Sequence, residues 1–366
     1  MKKIFFCLFF CGPFLIYGQK ADSVIKAAIL QMESGKYNQA LELLSQAEKS
    51  DPSNMAPVYE MGMAYYLRLD YLKALPYFQK AVNGNYRNTS PEAYAMLGNT
   101  LDLKGDSSGA MKVYQDGRRR FPKSGRLWVE EGHLFTQRNH YEQALCRYEQ
   151  AIKTEPTLAS AYRGAATIWA LTEERFNVLK MGEIFMNLEL AGERNENMSE
   201  MLYMTIQSAI KFTDSSAEVV LTKNMEASIE KVKLVLPFAA SYEVGFMIGV
   251  TPILLNRPKA KSKSKLSLKE IFTLYRAANL QWFERKNNKR YPNAILDQQN
   301  ELAEKNLLEA YVYWLFRKGQ PEEYQLWLQK NGSNFKQFEE WMQKHKLELN
   351  NRNTYTTGFI CKDLKN

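Results

Sequence analysis

Residues 125–155 read GRLWVEEGHLFTQRNHYEQALCRYEQAIKTE, and Pro156 follows. The spacing predicts a helical hairpin. Trp128 and Gly132 sit on its first helix, where a small residue lets a neighbouring helix come close. Tyr141, Ala144, Tyr148 and Ala151 sit on the second, which Pro156 stops because proline lacks the N–H that a helix interior needs.

The same landmarks return along the chain at intervals near 34 residues. Gly35, Tyr37, Ala40, Leu44, Ala47 and Pro52 form an earlier copy without the leading aromatic and glycine. Met61, Gly62, Tyr65, Tyr71, Ala74, Phe78 and Ala81 form the next, which has no closing proline. Leu97, Gly98, Gly105, Ala110, Tyr114 and Pro122 form a third, with Gly117 in place of the usual alanine. A fifth begins at Ala159 with Tyr162, Ala165, Ala166 and Trp169, but its second half, ERFNVLKMGEIFMNLEL, has lost the alanines. One such match occurs by chance in many helices, whereas four in near-constant register argue against a non-repeating bundle.

In these positions the chain resembles the tetratricopeptide repeat family. The resemblance covers residues 21–192 and implies an all-α fold, an α-α superhelical solenoid of helical hairpins that continues into divergent helical repeats. It also implies a function, since such solenoids commonly hold a peptide or partner protein along the concave face built by the first helix of each hairpin. By register that face carries Met32, Tyr59, Met63, Tyr66, Asn99, Asp102, His133, Gln137 and Arg163. Its early part is apolar and its later part polar; methionine and tyrosine suit varied, extended or hydrophobic guests. The alternative is that some of these side chains pack between repeats. Family members that clamp a chaperone's C-terminal carboxylate use Lys and Asn in fixed places. Here Tyr59 and Met63 occupy the places of one such pair, and Ala95 stands where Lys would be needed beside Asn99, so that clamp is not expected.

Ahead of the repeats, Lys2 and Lys3 precede the apolar run Ile4–Tyr17, then Gly18 and Gln19. That is the anatomy of a signal peptide over residues 1–18, cleaved after Gly18, and it predicts a periplasmic or envelope-associated protein. The run is shorter than a membrane span requires, and Gly12 and Pro13 interrupt it. Tyr17 and Ile16 are bulkier than an ideal cleavage site, which leaves an uncleaved N-terminal anchor as the alternative. Phe6 before Cys7 and Phe10 before Cys11 argue against lipidation. Cys146 and Cys361 make no disulfide framework; Cys146 is expected as a small buried apolar residue, with a bond between the two as the alternative.

Net charge is +9, or +7 without Lys2 and Lys3. Arg118, Arg119 and Arg120 cluster, as do Lys259, Lys261, Lys263 and Lys265 in an expected basic loop near residues 257–266. No aromatic motif interleaves them, so a nucleic-acid partner is not expected; peripheral contact with an anionic envelope surface is. From residue 193 to 366 the pattern stays helical but irregular. Met198–Phe212 and Ser228–Leu236 read as decayed repeats. Leu234–Leu255 is apolar enough to raise a membrane span, against which stand Glu243, Pro237 and Pro252, so a buried hairpin helix is predicted. Ser267 and Glu270 form a capping-box pair ahead of a helix ending before Pro292. One longer helix follows over 296–317, then a turn at Gly319 and Pro321. Phe335, Phe338, Trp341 and Met342 give one apolar face, and Trp314, Trp327 and Trp341 read as core or, alternatively, as an aromatic binding face.

No catalytic, metal or cofactor constellation is found. His133, His140 and His345 do not form a close ligand pattern, and no phosphate-binding loop occurs. Glu130 with Glu131 and Glu322 with Glu323 read as solvated helix faces. The expected function is therefore an exported adaptor or scaffold in bacterial envelope assembly or secretion. The alternative is a glycan-binding or glycan-cleaving envelope protein on a helical superhelix, which would need a positioned acid.

Overall fold

A computed structural model describes residues 14–213, 215–223, 228–230, 233–257, 265–357 and 361. By packing, the chain divides into two compact units, Met1–Leu134 and Phe135–Asn366.

The first unit is a stack of helical hairpins: α1 (Phe14–Glu33) with α2 (Tyr37–Ser50), α3 (Ala56–Leu67) with α4 (Tyr71–Asn83), and α5 (Pro91–Leu103) with α6 (Ser107–Arg120). Each pairs internally and packs on the next. The predicted glycines show their use. A Cβ on Gly62 would come within 2.7 Å of the Phe78 ring, and one on Gly98 would collide with the Tyr114 ring. Each absent side chain thus admits a fully buried aromatic from the second helix. The hairpin turns place Gly35, Leu69 and Gly105 at φ 72°, 62° and 89°, and Asp70 and Asp106 then cap α4 and α6 by accepting from Lys73 N and Gly109 N. Residues 1–13, most of the expected signal peptide, lie outside the described residues; Phe14 onward is helical.

Helix α7 (Arg126–Gln137) spans the boundary. The second unit continues with α8 (Tyr141–Thr154), α9 (Ala159–Trp169), α10 (Arg175–Leu188) and α11 (Glu193–Ala209). Gly164 of α9 meets the Tyr148 ring of α8, so here the small residue admits an aromatic from the preceding hairpin. The lost alanines of α10 have a structural reason: α10 is buried from Phe176 to Asn187 almost without interruption, with Phe185 and Met186 filling the core. At its centre Lys180 Nζ lies 2.9 Å from Glu183 Oε2, both side chains fully buried. Gln299 Nε2 donates to the same oxygen at 3.0 Å, and the ammonium sits 4.3 Å from the Tyr242 ring centre. A buried pair of this kind survives only when its partners satisfy it.

The irregular second half corrects the sequence reading in places. The helix expected through Phe212 ends at Ala209, and Ile210–Phe212 (β1) pairs antiparallel with Ala217–Val219 (β2). Ser228–Glu230 (β3) and Lys233–Val235 (β4) form a second antiparallel ribbon where helix was expected. Runs of three residues are too short for periodicity to separate the two states. Helix α12 (Phe238–Asn256) is half buried and packs along α13 (Leu268–Glu284) as the predicted hairpin; Gly245 and Gly249 admit the backbone of Ala278 and Leu274. Among the described residues it is the helix long and apolar enough to cross a membrane. The Ser267–Glu270 capping box is present. Most of the basic loop, residues 258–264, lies outside the described residues.

After α14 (Asn287–Arg290), the single helix expected over 296–317 is two, α15 (Ala294–Glu304) and α16 (Leu308–Phe316). Asn306 at φ 57° breaks them, as asparagine readily adopts the left-handed turn. Helix α17 (Pro321–Lys344) closes the unit. Beyond it the chain returns to the repeats. Tyr355 packs its ring 5.6 Å from Phe176 and 5.5 Å from Phe238. Thr357 donates from N (2.9 Å) and Oγ1 (2.7 Å) to Glu149 Oε1. Cys361 is bonded to Cys146, with Cα atoms 5.4 Å apart, so Cys146 is not the free apolar residue expected.

Candidate functional site

Within Met1–Leu134 the first helices bring together most of the expected surface, though not all of it. Tyr59, Met63 and Tyr66 follow one face of α3, half-buried against the core. The rings of Tyr59 and Tyr66 lie 5.8 Å and 6.3 Å from Phe78. Met32 departs from expectation: it is buried among Ile25, Ala28, Leu44 and Met61 and serves the core. Asp102 accepts from Ser107 Oγ at 2.7 Å and thereby braces its own hairpin turn.

Asn99 is held from two sides. Tyr114 OH donates to its Oδ1 at 2.5 Å, and its Nδ2 donates to Glu130 Oε2 at 3.1 Å. Glu130 is buried and not the solvated residue expected. Arg126 Nη2 lies 2.6 Å from its Oε1 and His133 Nδ1 lies 3.6 Å from its Oε2. Burial pushes the Glu130 carboxyl upward, but the bonds from His133 and Asn99 and the charge of Arg126 outweigh it and hold it below the usual range. Tyr59 is pushed up to about 12, first by burial and then by Glu60, Glu92 and Glu130 against the opposing pull of Arg126. Burial raises the Glu60 carboxyl as well. The face thus joins half-exposed aromatic and thioether side chains to an acidic margin.

Glu131 is fully buried too, paired with Arg118, whose guanidinium stacks 3.8 Å from the Trp128 ring centre. The arginine cluster is therefore not all solvated charge. A lone sequence cannot reveal these carboxylates, because the helix period places Glu130 and Glu131 toward a face that is usually apolar and their partners come from other helices.

Within Phe135–Asn366, Gln137 is exposed at the end of α7, and Arg163 is half-buried on α9, its pKa lowered by burial and then by Arg194. Trp314, Trp327 and Trp341 are buried, which answers the choice between core and binding face in favour of core. Glu323 also leaves the solvated class: its carboxylate accepts from Leu268 N (2.8 Å) and Lys269 N (3.2 Å) at the start of α13. Among the described residues no group of three or more His, Cys, Asp and Glu side chains is placed to hold a metal ion. His345 stacks on Trp341 at 4.6 Å beside a polar cleft of about 520 Å³ that Asp297, Gln298 and Glu301 also line.

Residues 25–89 match the tetratricopeptide repeat family model. A curated relative is the BBSome complex member BBS4 of Bos taurus, 25% identical over 150 residues, 41% of this chain and 28% of that one. The chain thus spans less than a third of that relative's length. Similar solved structures include a thermophilic tetratricopeptide protein of Thermus thermophilus, TTC0263, at 17% identity and TM-score 0.42, covering 50% of this chain and 98% of that one. Another is YrrB, described as a tetratricopeptide protein with an unusual peptide-binding site, at 19% identity and TM-score 0.32, covering 49% and 94%.

Proposed function

We propose that this chain is an exported adaptor whose first-unit hairpins hold an extended segment of a partner protein, in envelope assembly or secretion. The observation that carries the reading is the face of α3 and α5: Tyr59, Met63 and Tyr66 stay half-exposed on α3, and Asn99 of α5 is held in place by Tyr114 and by the buried Glu130 of α7. Rigid aromatics anchored on a core give contact area with little ordering entropy. The guest that fits presents apolar side chains to these rings. Chaperone-tail capture does not fit, since Ala95 is buried and no lysine stands beside Asn99.

Export is supported by the Lys2–Lys3 and Ile4–Tyr17 pattern and by the Cys146–Cys361 bond, because disulfides persist in oxidising compartments. The basic excess supports peripheral contact with anionic envelope surfaces. We read the protein as a binding module and not an enzyme. The test is crosslinking affinity purification from the native envelope, comparing wild type with Tyr59→Ala/Met63→Ala and with Glu130→Gln. Capture of a recurrent partner should fall about tenfold or more in the double variant, the loss expected for two anchor side chains, with helicity unchanged by circular dichroism. Equal capture by both variants would remove this face from the reading.

A further inference from the structure

Positions 294, 297, 298 and 301 make one face of α15, and the chain beyond α17 folds back beside it. Leu347 is buried there, Asn350 N donates to Asn353 Oδ1 at 2.8 Å, and Ala294 N donates to Asn353 O at 2.9 Å. These contacts fix one wall of the polar cleft beside His345, which lies wholly within the second unit. At about 520 Å³ the cleft has the size of a small-molecule site, roughly 300–1,000 Å³. Its chemistry is different. Such sites are mostly apolar, whereas here the apolar members Ala294, Trp341 and Leu347 are buried and the exposed lining is polar or charged.

Two of the lining side chains carry unmatched polar atoms. Gln298 and Trp341 are each only 7% exposed, and neither Gln298 Oε1 nor Trp341 Nε1 has a hydrogen-bond partner among the described residues. A buried acceptor and a buried donor left in this way cost free energy that a ligand hydroxyl, able both to donate and to accept, would recover. Around them stand Asp297, Glu301 and Glu348 against Lys344 and Lys346, all exposed, and no ion pair or side-chain hydrogen bond joins any of the five to another described residue. Burial and then Glu301 raise the Asp297 carboxyl, which therefore gains from added donors. Three carboxylates against two ammonium groups nearly cancel, so the cleft favours neither an anion nor a polyamine. An apolar ligand would leave all five unmatched. We propose that this cleft binds a neutral oligosaccharide, whose hydroxyls pair with Asp297, Glu301 and Gln298 and whose ring lies against the exposed imidazole of His345. Hydroxyls donate to carboxylates in strong, charge-assisted bonds and accept from lysine, so one uncharged ligand satisfies both signs.

This site goes beyond the adaptor reading and uses no residue of the first-unit face. The experiment applies the full chain to a printed array of neutral oligosaccharides and repeats the tightest pair in solution by calorimetry, at low and high salt. Asp297→Ala/Glu301→Ala should weaken that pair about tenfold or more, the loss expected when hydrogen bonds to charged groups are removed. Lys344→Ala/Lys346→Ala should weaken it less. Because the ligand is uncharged, salt should leave the affinity unchanged. The chain has three histidines, so imidazole resonances in NMR spectra locate the sugar: His345 should shift, and His133 and His140 should not. Retention on an insoluble polymer of the same sugar would support a surface glycan as its source, and binding of the free sugar alone a soluble one. An array with no bound sugar overturns the proposal, as does equal affinity of the carboxylate variant or a shift at His133 in place of His345. So does tighter, salt-sensitive binding of spermine or inorganic phosphate in the cleft. If circular dichroism shows the double variant unfolded, since Asp297 lies in the first turn of α15, Glu301→Ala takes its place with the same outcomes read the same way. Tyr59→Ala/Met63→Ala should bind the sugar as wild type does, which keeps failure of partner capture distinct from failure of this site.

Discussion

Leu69 occupies a turn that its sister hairpins assign to glycine. Gly35 and Gly105 hold the equivalent left-handed position, and Asn139 holds it in the second unit at φ 59°. Leu69 holds it at φ 62° while 71% exposed. A branched side chain in this region is disfavoured by about 1–2 kcal/mol, of which glycine's larger loss of chain entropy returns a part. Leu69→Gly should therefore stabilise the first unit by about 0.5–1 kcal/mol, and Leu69→Val should destabilise it. Paired urea denaturation curves would show the two changes with opposite signs; a shared sign would place the controlling term in contacts of the leucine and not in its backbone. The position also shows what spacing reveals: Gly35 and Gly105 are visible as repeat landmarks, whereas Leu69 is found by register alone.

At the scale of elements, the hairpins were legible because two of them set a small residue against an aromatic, as Gly62 faces Phe78 and Gly98 faces Tyr114, and both members lie close in sequence. The same was true of the α13 capping box and of the α12–α13 hairpin. Less of the site was legible. Tyr59, Met63 and Tyr66 could be placed on a face by period, but the burial of Met32 and the roles of Glu130 and Asn99 depend on partners from other helices. The C-terminal segment was hidden for the same reason, since its acceptor is some two hundred residues away. Glu149 is fully buried beneath it and accepts from Thr357, and burial raises its carboxyl despite those bonds and the charge of Lys153. A carboxyl raised in the folded state binds its proton more tightly there than when unfolded. Its contribution is thus fully present below the unfolded value and is lost as pH rises through the folded one. Glu149→Gln retains an acceptor for Thr357 without the charge. The variant should match wild type in mildly acidic buffer and exceed it in thermal stability at neutral and alkaline pH. A constant difference across pH would mean that Glu149 is not the titrating group.

For the whole molecule, the covalent link from Cys146 to Cys361 separates the two units in kind. It lies wholly within Phe135–Asn366 and closes 215 residues of chain, so it restricts the unfolded ensemble of that unit alone. A loop of this length corresponds to a stabilisation on the order of 2–5 kcal/mol, with the larger figure an upper bound from chain entropy. The noncovalent hold is already extensive: Tyr355 is seated among Phe176 and Phe238, and Ala294 N donates to Asn353 O at 2.9 Å. Reduction should therefore loosen the unit without dispersing it. Segment-resolved hydrogen exchange under native conditions, with and without a thiol reductant, should show faster exchange in α8, α10 and residues 350–357. Exchange in α1 to α6 should be unchanged. Cys361→Ser should reproduce the reduced pattern and make the chain insensitive to the reductant. Uniform acceleration through both units would mean that the bond stabilises the chain globally; no change would mean that the aromatic seat alone holds the C-terminal segment. The first result would also tie stability to compartment. A chain kept reduced would carry the looser second unit, and the closed form would prevail only in an oxidising compartment.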